Sequence, residues 1–318
     1  MVGQPAARAA RAGHARARRA GARGRRRPGA SHLDSRVIDI LWLGAPGADD
    51  PRVAGGKAAS LSRLAAGHRV PAGFCLTATA APDDSGLRSA IAEAYRELGR
   101  RVGEDEPAVA VRSSAVDEDG AGASFAGQHD TYLNLTGADA VADAIARCRA
   151  SVRSERALAY RRAQGLDAAG SIAVLVQQLV PADVAAVVFS VDPRTGSDDV
   201  VINASWGLGE SIVGGTATPD VYTVRRDRLV IRSRTVGAKE RMTVRTADGT
   251  REVRVPRILR ERLALDDAAV RAAAELALAL EDETGAPVDV ECAFRAGTLY
   301  LLQCRPVTTT AGDGGHAR

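Results

Sequence analysis

Two strand-like stretches near the C-terminus carry polar side chains at alternate positions, a spacing that could build a cation-binding face. In Val288–Phe294, Asp289 and Glu291 alternate with apolar residues, so both carboxylates should project from one face of a sheet. In the stretch that follows, Gln303 and Arg305 share a face in the same way. Carboxylate and amide oxygens suit a hard cation such as Mg²⁺, and a guanidinium suits a phosphate.

Pairing of these two stretches as a hairpin would bring the polar side chains together. A three-residue loop, 296–298, sets Glu291 opposite Gln303 and Asp289 opposite Arg305. This register is favoured because it pairs polar residues with polar residues. The product is one sheet face with carboxylate, amide and guanidinium groups.

Another register and another role stay open for this hairpin. A slip by one residue would set Glu291 against Leu302. Strict alternation places Leu299 and Leu301 on the same face as Gln303. The face could equally be a solvated outer surface with one cross-strand ion pair. The hairpin alone does not decide between a surface and a site.

Lysine is rare in this chain, which has only Lys57 and Lys239, while every other basic residue is Arg. This bias indicates that a retained Lys serves as a compact, flexible point charge. Lys57 follows two glycines and opens a helical pattern for which Gly67 is the predicted stop. A helix N-terminus offers N–H groups to an anion, and Lys57 could neutralise a phosphate there. The alternative is a plain glycine turn, since the P-loop pattern is not met.

A second cation, Arg112, is predicted at the end of the buried strand 107–111, where a long loop begins. Functional groups at strand ends often point into clefts. The loop is rich in glycines, which allow a ligand to approach the backbone, and in hydroxyl groups: Ser113, Ser114, Gly120, Gly122, Ser124, Gly127 and Thr131. An ordinary hairpin loop is the alternative, but the length of this one favours a function.

The order of elements predicts an α+β fold rather than a doubly wound sheet. Ile172–Val180 and Ala185–Val191 are expected to pair as a hairpin. A helix is expected from an N-cap at Asp266 to a stop at Gly285. The glycine-rich segment 206–215 begins like a dinucleotide fingerprint, but Ile212 stands where the third Gly or Ala is needed, which argues against a Rossmann fold.

Composition narrows the class of protein further. Residues 1–30 hold nine of the 43 Lys and Arg residues and no acid, so the rest of the chain has a net charge of about −5. The high pI therefore comes from an N-terminal tail, for which a dispensable extension is favoured over a nucleic-acid-binding arm. The four Cys have no zinc spacing, no apolar run could span a bilayer, and a cytoplasmic protein is expected.

Together these stretches resemble the nucleotide-binding ATP-grasp domain of the phosphoenolpyruvate synthase, pyruvate phosphate dikinase and rifampin phosphotransferase group. The similar segments occur in family order and cover roughly residues 37–310. They are GGKAASLSRL, VPAGF, VRSSAVDEDGAGASFAGQHDTYLNL, VLVQQLVPADVAAVVFSVDPRTG, INASWGLGESIVGGTATPDVY and VDVECAFRAGTLYLLQCRPVT. Several are long and specific, so chance agreement is improbable.

The resemblance implies a role for individual residues around ATP and Mg²⁺. The implied ligands are Lys57, Arg112 and Arg305 for phosphates, Glu291 and Gln303 for magnesium, Ser124, Gly127 and Thr131 in a lid, Gln177 and Val180 at the adenine, and Glu210 near the nucleotide. It also implies a reaction in which the β-phosphoryl group of ATP passes to a carrier His on another domain. That domain then serves a small-molecule acceptor such as pyruvate or an antibiotic.

The expected organisation is a disordered tail (1–33), an ATP-grasp domain (34–310, subdomains 34–170 and 171–310) and a flexible C-terminal tail (311–318). The chain departs from the family pattern by ending soon after the last hairpin and by a short spacing between Lys57 and Arg112. The leading hypothesis is thus an ATP-binding component whose carrier His lies on another chain. The alternative is a non-catalytic ATP-binding regulatory or interaction module.

Overall fold

Residues 40–80, 85–115, 131–151 and 172–307 are described by the structure, a computed structural model. They form two large β-sheets and a separate two-stranded sheet, with helices around them. The strands are β1 (Ile40–Trp42), β2 (Gly73–Leu76), β3 (Val109–Ala115), β4 (Thr131–Leu135), β5 (Ile172–Gln178), β6 (Val184–Phe189), β7 (Asp199–Trp206), β8 (Asp220–Arg225), β9 (Val230–Thr235), β10 (Arg241–Thr246), β11 (Gly249–Arg254), β12 (Val288–Arg295) and β13 (Thr298–Pro306). The helices are α1 (Pro51–Leu64), α2 (Ser85–Val102), α3 (Ala138–Ser151), α4 (Glu210–Val213), α5 (Arg257–Arg260) and α6 (Asp267–Thr284). This mixture of elements confirms the predicted α+β class. No helix within the described ranges is long and apolar enough to cross a membrane.

The first sheet has the order β1-β2-β5-β3-β4 and is covered on both faces. Helices α2 and α3 pack on one face, where their apolar residues meet Phe74, Val111 and Val176. Helix α1 packs on the other face, against Cys75 and Leu175. Burial on both faces explains why β5 is an unbroken apolar run until its last two residues.

The second sheet has the order β13-β12-β6-β7-β8-β9, and one of its faces packs against α6. Helix α6 has the predicted bounds, since the Asp266 side chain accepts a hydrogen bond from the Ala269 N–H (2.8 Å) and Gly285 ends the helix with φ +72°. Its buried positions, such as Ala273 and Leu280, meet apolar residues that alternate along the strands. The opposite face of this sheet is therefore available for polar groups.

The hairpin predicted from Ile172–Val180 and Ala185–Val191 is wrong. Strand β5 pairs with β2 and β3, whereas β6 pairs with β12 and β7 in the other sheet. The chain therefore changes sheets between Gln178 and Val184, later than the predicted subdomain boundary at residue 170. The connecting segment is held by the last hairpin: the Asp183 carboxylate accepts hydrogen bonds from the Ala296 N–H (2.7 Å) and the Arg295 guanidinium (2.5 Å).

Helix α1 is interrupted at Gly55, where φ is +73° and ψ is 165°. The first part of α1 begins after the N-cap Asp50, and the second part begins after Gly55. Lys57 therefore lies in the first turn of the second part, so it follows a helix start as predicted. The predicted stop at Gly67 is wrong. The helix ends at Leu64 with a right-handed cap at the next residue, so no glycine in the left-handed region is required.

Lys239 forms a buried ion pair with Asp220, and both side chains are completely removed from solvent. The ammonium group also donates to the carbonyl oxygens of Gly237 and Arg260 at 3.1 Å each. The Asp220 carboxylate accepts two further hydrogen bonds, from the N–H groups of Gly237 (2.8 Å) and Ala264 (2.7 Å). The partners of this pair come from the segments around Gly237, Arg260 and Ala264. The second lysine of the chain thus serves as a compact positive charge in the interior.

Substitution of Lys239 by Met should destabilise the protein strongly, because it leaves the Asp220 carboxylate buried without a cation. The expected loss in the free energy of unfolding is about 3–5 kcal/mol, measured by urea denaturation. Arg257→Ala is the control, since it removes one partner of an exposed ion pair with Glu261 and should leave the midpoint unchanged. Equal midpoints for Lys239→Met and wild type would contradict a structural role for the pair.

Candidate nucleotide-binding site

A cavity of about 430 Å³ lies between the two sheets, a size suited to a small organic ligand. Its walls come from strands β3, β4, β5, β12 and β13, from the segment that connects β5 to β6, and from the glycine-rich segment around α4. The lining includes Ala110, Arg112, Thr131, Leu133, Gln177, Gln178, Leu179, Val180, Ala182, Leu208, Gly209, Glu210, Val213, Gly214, Glu291, Ala293 and Leu302. Most of these residues are apolar or glycine, and two of the three charged ones, Arg112 and Glu291, are in direct contact.

The register of the β12–β13 hairpin is the predicted one at the polar end of the cavity. Glu291 pairs with Gln303 and Asp289 pairs with Arg305. The predicted three-residue loop is wrong, however, because Arg295 pairs with Thr298 and only two residues form the turn. Those two residues, Ala296 and Gly297, have φ of +47° and +76°, as a tight two-residue hairpin turn requires.

A β-bulge at Leu302 reconciles the shorter turn with the polar register. Cys292 pairs with Leu301 and Glu291 with Gln303, which leaves Leu302 as an extra residue on β13. Without this residue the two-residue turn would set Glu291 against Leu302. The bulge also reverses the alternation beyond it. Leu299 and Leu301 therefore lie on the face that packs against α6, not on the Gln303 face as strict alternation predicted.

Arg112 joins the first sheet to this polar face. One terminal nitrogen of its guanidinium donates to Glu291 Oε2 (3.1 Å) and to Gln303 Oε1 (2.5 Å), and the other donates to the Leu302 carbonyl oxygen (3.0 Å). The bulged residue thus supplies one of the acceptors. The prediction that Arg112 lies at the end of its strand is wrong, because β3 continues to Ala115. Its side chain is only 12% exposed, so the charge acts in a largely dehydrated site.

Glu291 and Gln303 present oxygen atoms that converge on a single cationic nitrogen. The arrangement fits a hard cation in ligand type, because carboxylate and amide oxygens are what Mg²⁺ binds in proteins. Within the described part of the chain, no group of three His, Cys, Asp or Glu side chains could hold a metal ion. Further ligands would have to come from another molecule, such as the phosphates of a nucleotide.

A second Arg–carboxylate pair lies next to the first on the same face. Arg305 donates to Asp289 Oδ2 from Nε (2.9 Å), and a terminal nitrogen lies 2.8 Å from the same oxygen. Burial raises the pKa of Asp289, and the charge and hydrogen bond of Arg305 oppose that rise. The other oxygen, Oδ1, is buried and has no hydrogen-bond partner among the described residues. Asp289 was not among the predicted ligands, although its alternation with Glu291 placed it on this face.

The turn that carries Lys57 packs directly against the strand that carries Arg112. The Ser114 hydroxyl accepts a hydrogen bond from the Ala58 N–H (3.2 Å), so it satisfies one donor at the start of the second part of α1. A Cβ on Gly55 would lie 2.0 Å from the Ser114 carbonyl oxygen. Glycine at this position therefore permits both the left-handed turn and the close approach of two backbones.

Comparison with known proteins shows the family to which this site belongs. A family model described as "Pyruvate phosphate dikinase, AMP/ATP-binding domain" matches residues 81–317. The chain belongs to this family. Together with the architecture described above, the match confirms the predicted fold class, a nucleotide-binding domain of the pyruvate phosphate dikinase type.

Curated relatives of this AMP/ATP-binding domain are phosphotransferases of greater length. A probable phosphoenolpyruvate synthase of Methanothermobacter thermautotrophicus is 37% identical, over 88% of this chain and 47% of its own length. A rifampicin phosphotransferase of Streptomyces sviceus is 38% identical, over 81% of this chain and 34% of its own. The chain thus spans half or less of these relatives.

One solved structure shows a weak likeness. The D-alanine–D-alanine ligase of Bacillus anthracis, complexed with ATP, is similar over 83% of this chain and 58% of its own. Its TM-score is 0.33 and its identity 10%, too low to support an argument about function.

The remaining predicted residues of the AMP/ATP-binding domain have different positions relative to the cavity. Thr131, Gln177, Val180 and Glu210 line it, whereas Lys57 and Arg305 are not among its lining residues. Ser124 and Gly127 lie outside the described residues.

Among these four lining residues, the side chains of Gln177 and Glu210 have defined polar partners. Gln177 is buried and its side-chain amide donates to the Pro71 carbonyl oxygen (3.2 Å). Burial of its carboxyl end raises the pKa of Glu210, although the residue as a whole is exposed, and the hydroxyl of Thr250 donates to that carboxylate (3.3 Å).

Substitution of Gly55 by Ala should disrupt the relation between Lys57 and Arg112, because the new Cβ would overlap the backbone of Ser114. We expect ATP affinity to fall at least tenfold, which corresponds to about 1.4 kcal/mol in calorimetry. Gly103→Ala is a matched control, since Gly103 has φ of +75° but open space around it. If the two variants lose affinity equally, backbone strain alone and not the contact with Ser114 explains the effect.

Proposed function

We propose that this domain binds Mg-ATP between its two sheets and transfers the β-phosphoryl group to a carrier His. AMP leaves from one side of the β-phosphorus, and the γ-phosphoryl group passes to water and leaves as inorganic phosphate. The observation that carries the proposal is the convergence of Arg112, Glu291 and Gln303 at one end of the cavity. A triphosphate needs positive charge and a cation-binding group at one place, and an apolar wall for its base at another. The membership of the chain in an AMP/ATP-binding family supports the same conclusion.

The base of the nucleotide is proposed to lie beside the segment that connects β5 to β6, near Gln177 and the backbone at Val180. Glu210 and Thr131 would then flank the middle of the ligand. The phosphates would extend toward Arg112. Lys57 and Arg305 lie beyond the cavity lining, and in this proposal they reach phosphate groups that project past Arg112.

Glu291 and Gln303 are proposed as the protein ligands of magnesium. Because the guanidinium of Arg112 contacts both ligands, it would have to move toward the phosphates when the cation binds. A bound magnesium ion would neutralise part of the phosphate charge. Arg112 would supply the remaining positive charge from a site shielded from water, where it is most effective.

The carrier His is proposed to lie outside the described residues, on another domain or chain. The only histidine within the described ranges, His68, pairs with Glu283 (2.8 Å) and is not part of the cavity. The relatives named as phosphoenolpyruvate synthase and rifampicin phosphotransferase are longer, which leaves room for such a domain. The final acceptor, pyruvate or an antibiotic-like alcohol, would be chosen by that partner.

Transfer can be tested with ATP labelled at the β-phosphate and a histidine-carrier domain taken from one of the longer relatives. We expect labelled carrier and release of AMP, and a loss of about a hundredfold in rate for Arg112→Ala, as when one donor to a charged transition state is removed. Arg194→Ala, an exposed arginine 82% open to solvent, should retain the wild-type rate. ATP binding without release of AMP would instead support a non-catalytic regulatory module.

Dependence on magnesium tests the two proposed ligands separately from transfer. Calorimetry should show that EDTA weakens ATP binding to the wild-type protein by at least tenfold, because a divalent cation screens the phosphates near Glu291 and Gln303. Glu291→Ala should weaken binding in magnesium and reduce the difference between magnesium and EDTA. If ATP affinity is the same with and without EDTA and is unchanged by Glu291→Ala, the assignment of Glu291 and Gln303 as magnesium ligands is contradicted.

A further inference from the structure

The β10–β11 hairpin forms a separate two-stranded sheet that reaches from the second sheet to the first. Its base is attached beside the cavity, where the Leu208 N–H donates to the Thr243 carbonyl oxygen (2.9 Å). Most of its residues are exposed or half-exposed, and neither described core cluster includes a residue from 241–254. A two-stranded ribbon without an apolar core is only marginally stable by itself, so its position depends on its attachments.

Asn134 on the edge strand β4 holds the far end of this hairpin. Its side-chain amide nitrogen donates to the carbonyl oxygens of Thr246 (2.7 Å) and Gly249 (2.5 Å), the pair that closes the hairpin turn. Its amide oxygen accepts a hydrogen bond from Arg245 Nε (2.7 Å). Both ends of one buried amide are therefore used for contacts between the two parts of the domain.

The backbone of β4 is shaped for this contact. Between Val109 and Val111 the register of β3 with β4 shifts by one residue, which places a β-bulge at Leu133 and Asn134. Asn134 has φ of +57°, a left-handed conformation that Asn tolerates better than other side chains. At this bulge Leu133 lines the cavity, while Asn134 forms hydrogen bonds with the β10–β11 hairpin.

The hairpin also contacts a residue that lines the cavity, because the Thr250 hydroxyl donates to the Glu210 carboxylate (3.3 Å). It is thus connected to a lining residue in α4, the short helix after β7, at Glu210, and to a lining strand of the first sheet at Asn134. Polar contacts of this kind can break and re-form without the exposure of a hydrophobic core.

We propose that the β10–β11 hairpin is a clasp, held by Asn134 and Arg245, that closes the side of the cavity and opens to let nucleotide exchange. This inference rests on the proposed function, because it takes the ligand of the cavity to be Mg-ATP. Asn134 is a positioning residue in this account and does not touch the phosphates. Weakening the clasp should therefore change the rates of exchange more than the chemistry.

Three substitutions separate the hydrogen bonds from other effects. Asn134→Gly retains the freedom to adopt a left-handed conformation but removes the amide, and Arg245→Gln removes the guanidinium. Asn134→Gly removes three hydrogen bonds and Arg245→Gln removes one. Each should speed dissociation of Mg-ATP at least about tenfold in stopped-flow tryptophan fluorescence. The matched control is Arg241→Gln, which breaks an exposed ion pair with Glu252 on the same hairpin and should not alter dissociation.

Hydrogen exchange without nucleotide tests the clasp independently of ATP. The amides of β10 and β11 should exchange faster in Asn134→Gly and Arg245→Gln than in wild type or Arg241→Gln. Faster exchange together with wild-type dissociation of Mg-ATP would overturn the role in nucleotide exchange, and unchanged amide exchange would overturn the clasp itself. If none of the four proteins binds ATP, the proposed function fails, and the exchange data still decide whether Asn134 holds the hairpin.

Discussion

Arg112 belongs to the first sheet, but the acceptors described for its guanidinium all belong to the last hairpin of the second: the Glu291 carboxylate, the Gln303 amide and the Leu302 carbonyl oxygen. A charge held this far from water has to be matched by acceptors with good geometry, because an unmatched buried charge is costly. The sheets must therefore meet with β3 facing β12 and β13. That requirement fixes the polar end of the cavity and the orientation of its apolar walls.

The two sheets are connected around the cavity by contacts of different kinds. Behind Arg112, helix α1 packs in the core shared by both sheets and cannot leave without exposing apolar surface. The segment that connects β5 to β6 is fixed to the turn of the last hairpin, because the Asp183 carboxylate accepts hydrogen bonds from Arg295 and from the Ala296 N–H. Beside β4, Asn134 is joined to the β10–β11 hairpin by polar contacts. A cavity with rigid contacts at its charged end and breakable ones at its side can preorganise the phosphates and still admit a ligand.

Local patterns allowed much of this fold to be predicted. The bounds of α6 follow from an Asp cap and a terminal glycine, both of which act within a few residues. The polar register of the last hairpin follows from the cost of setting a carboxylate against leucine. The predictions that failed concern partners distant in sequence. Strands β5 and β6 have the pattern of a hairpin, but each pairs with a strand about a hundred residues away in the sequence.

The sequence by itself determined the family, the α+β class and the set of polar residues that alternate along β12 and β13, because these depend on composition, spacing and motifs. Only the tertiary structure decided how those residues meet. The two-residue turn and the bulge at Leu302 compensate one another, so the same register arises from a different backbone path, and the bulge supplies an acceptor to Arg112. The hydrogen bonds between Asn134 and the β10–β11 hairpin were likewise not predicted from the sequence. These hydrogen bonds join residues more than a hundred positions apart, and no local pattern encodes a contact that exists only after both sheets have folded.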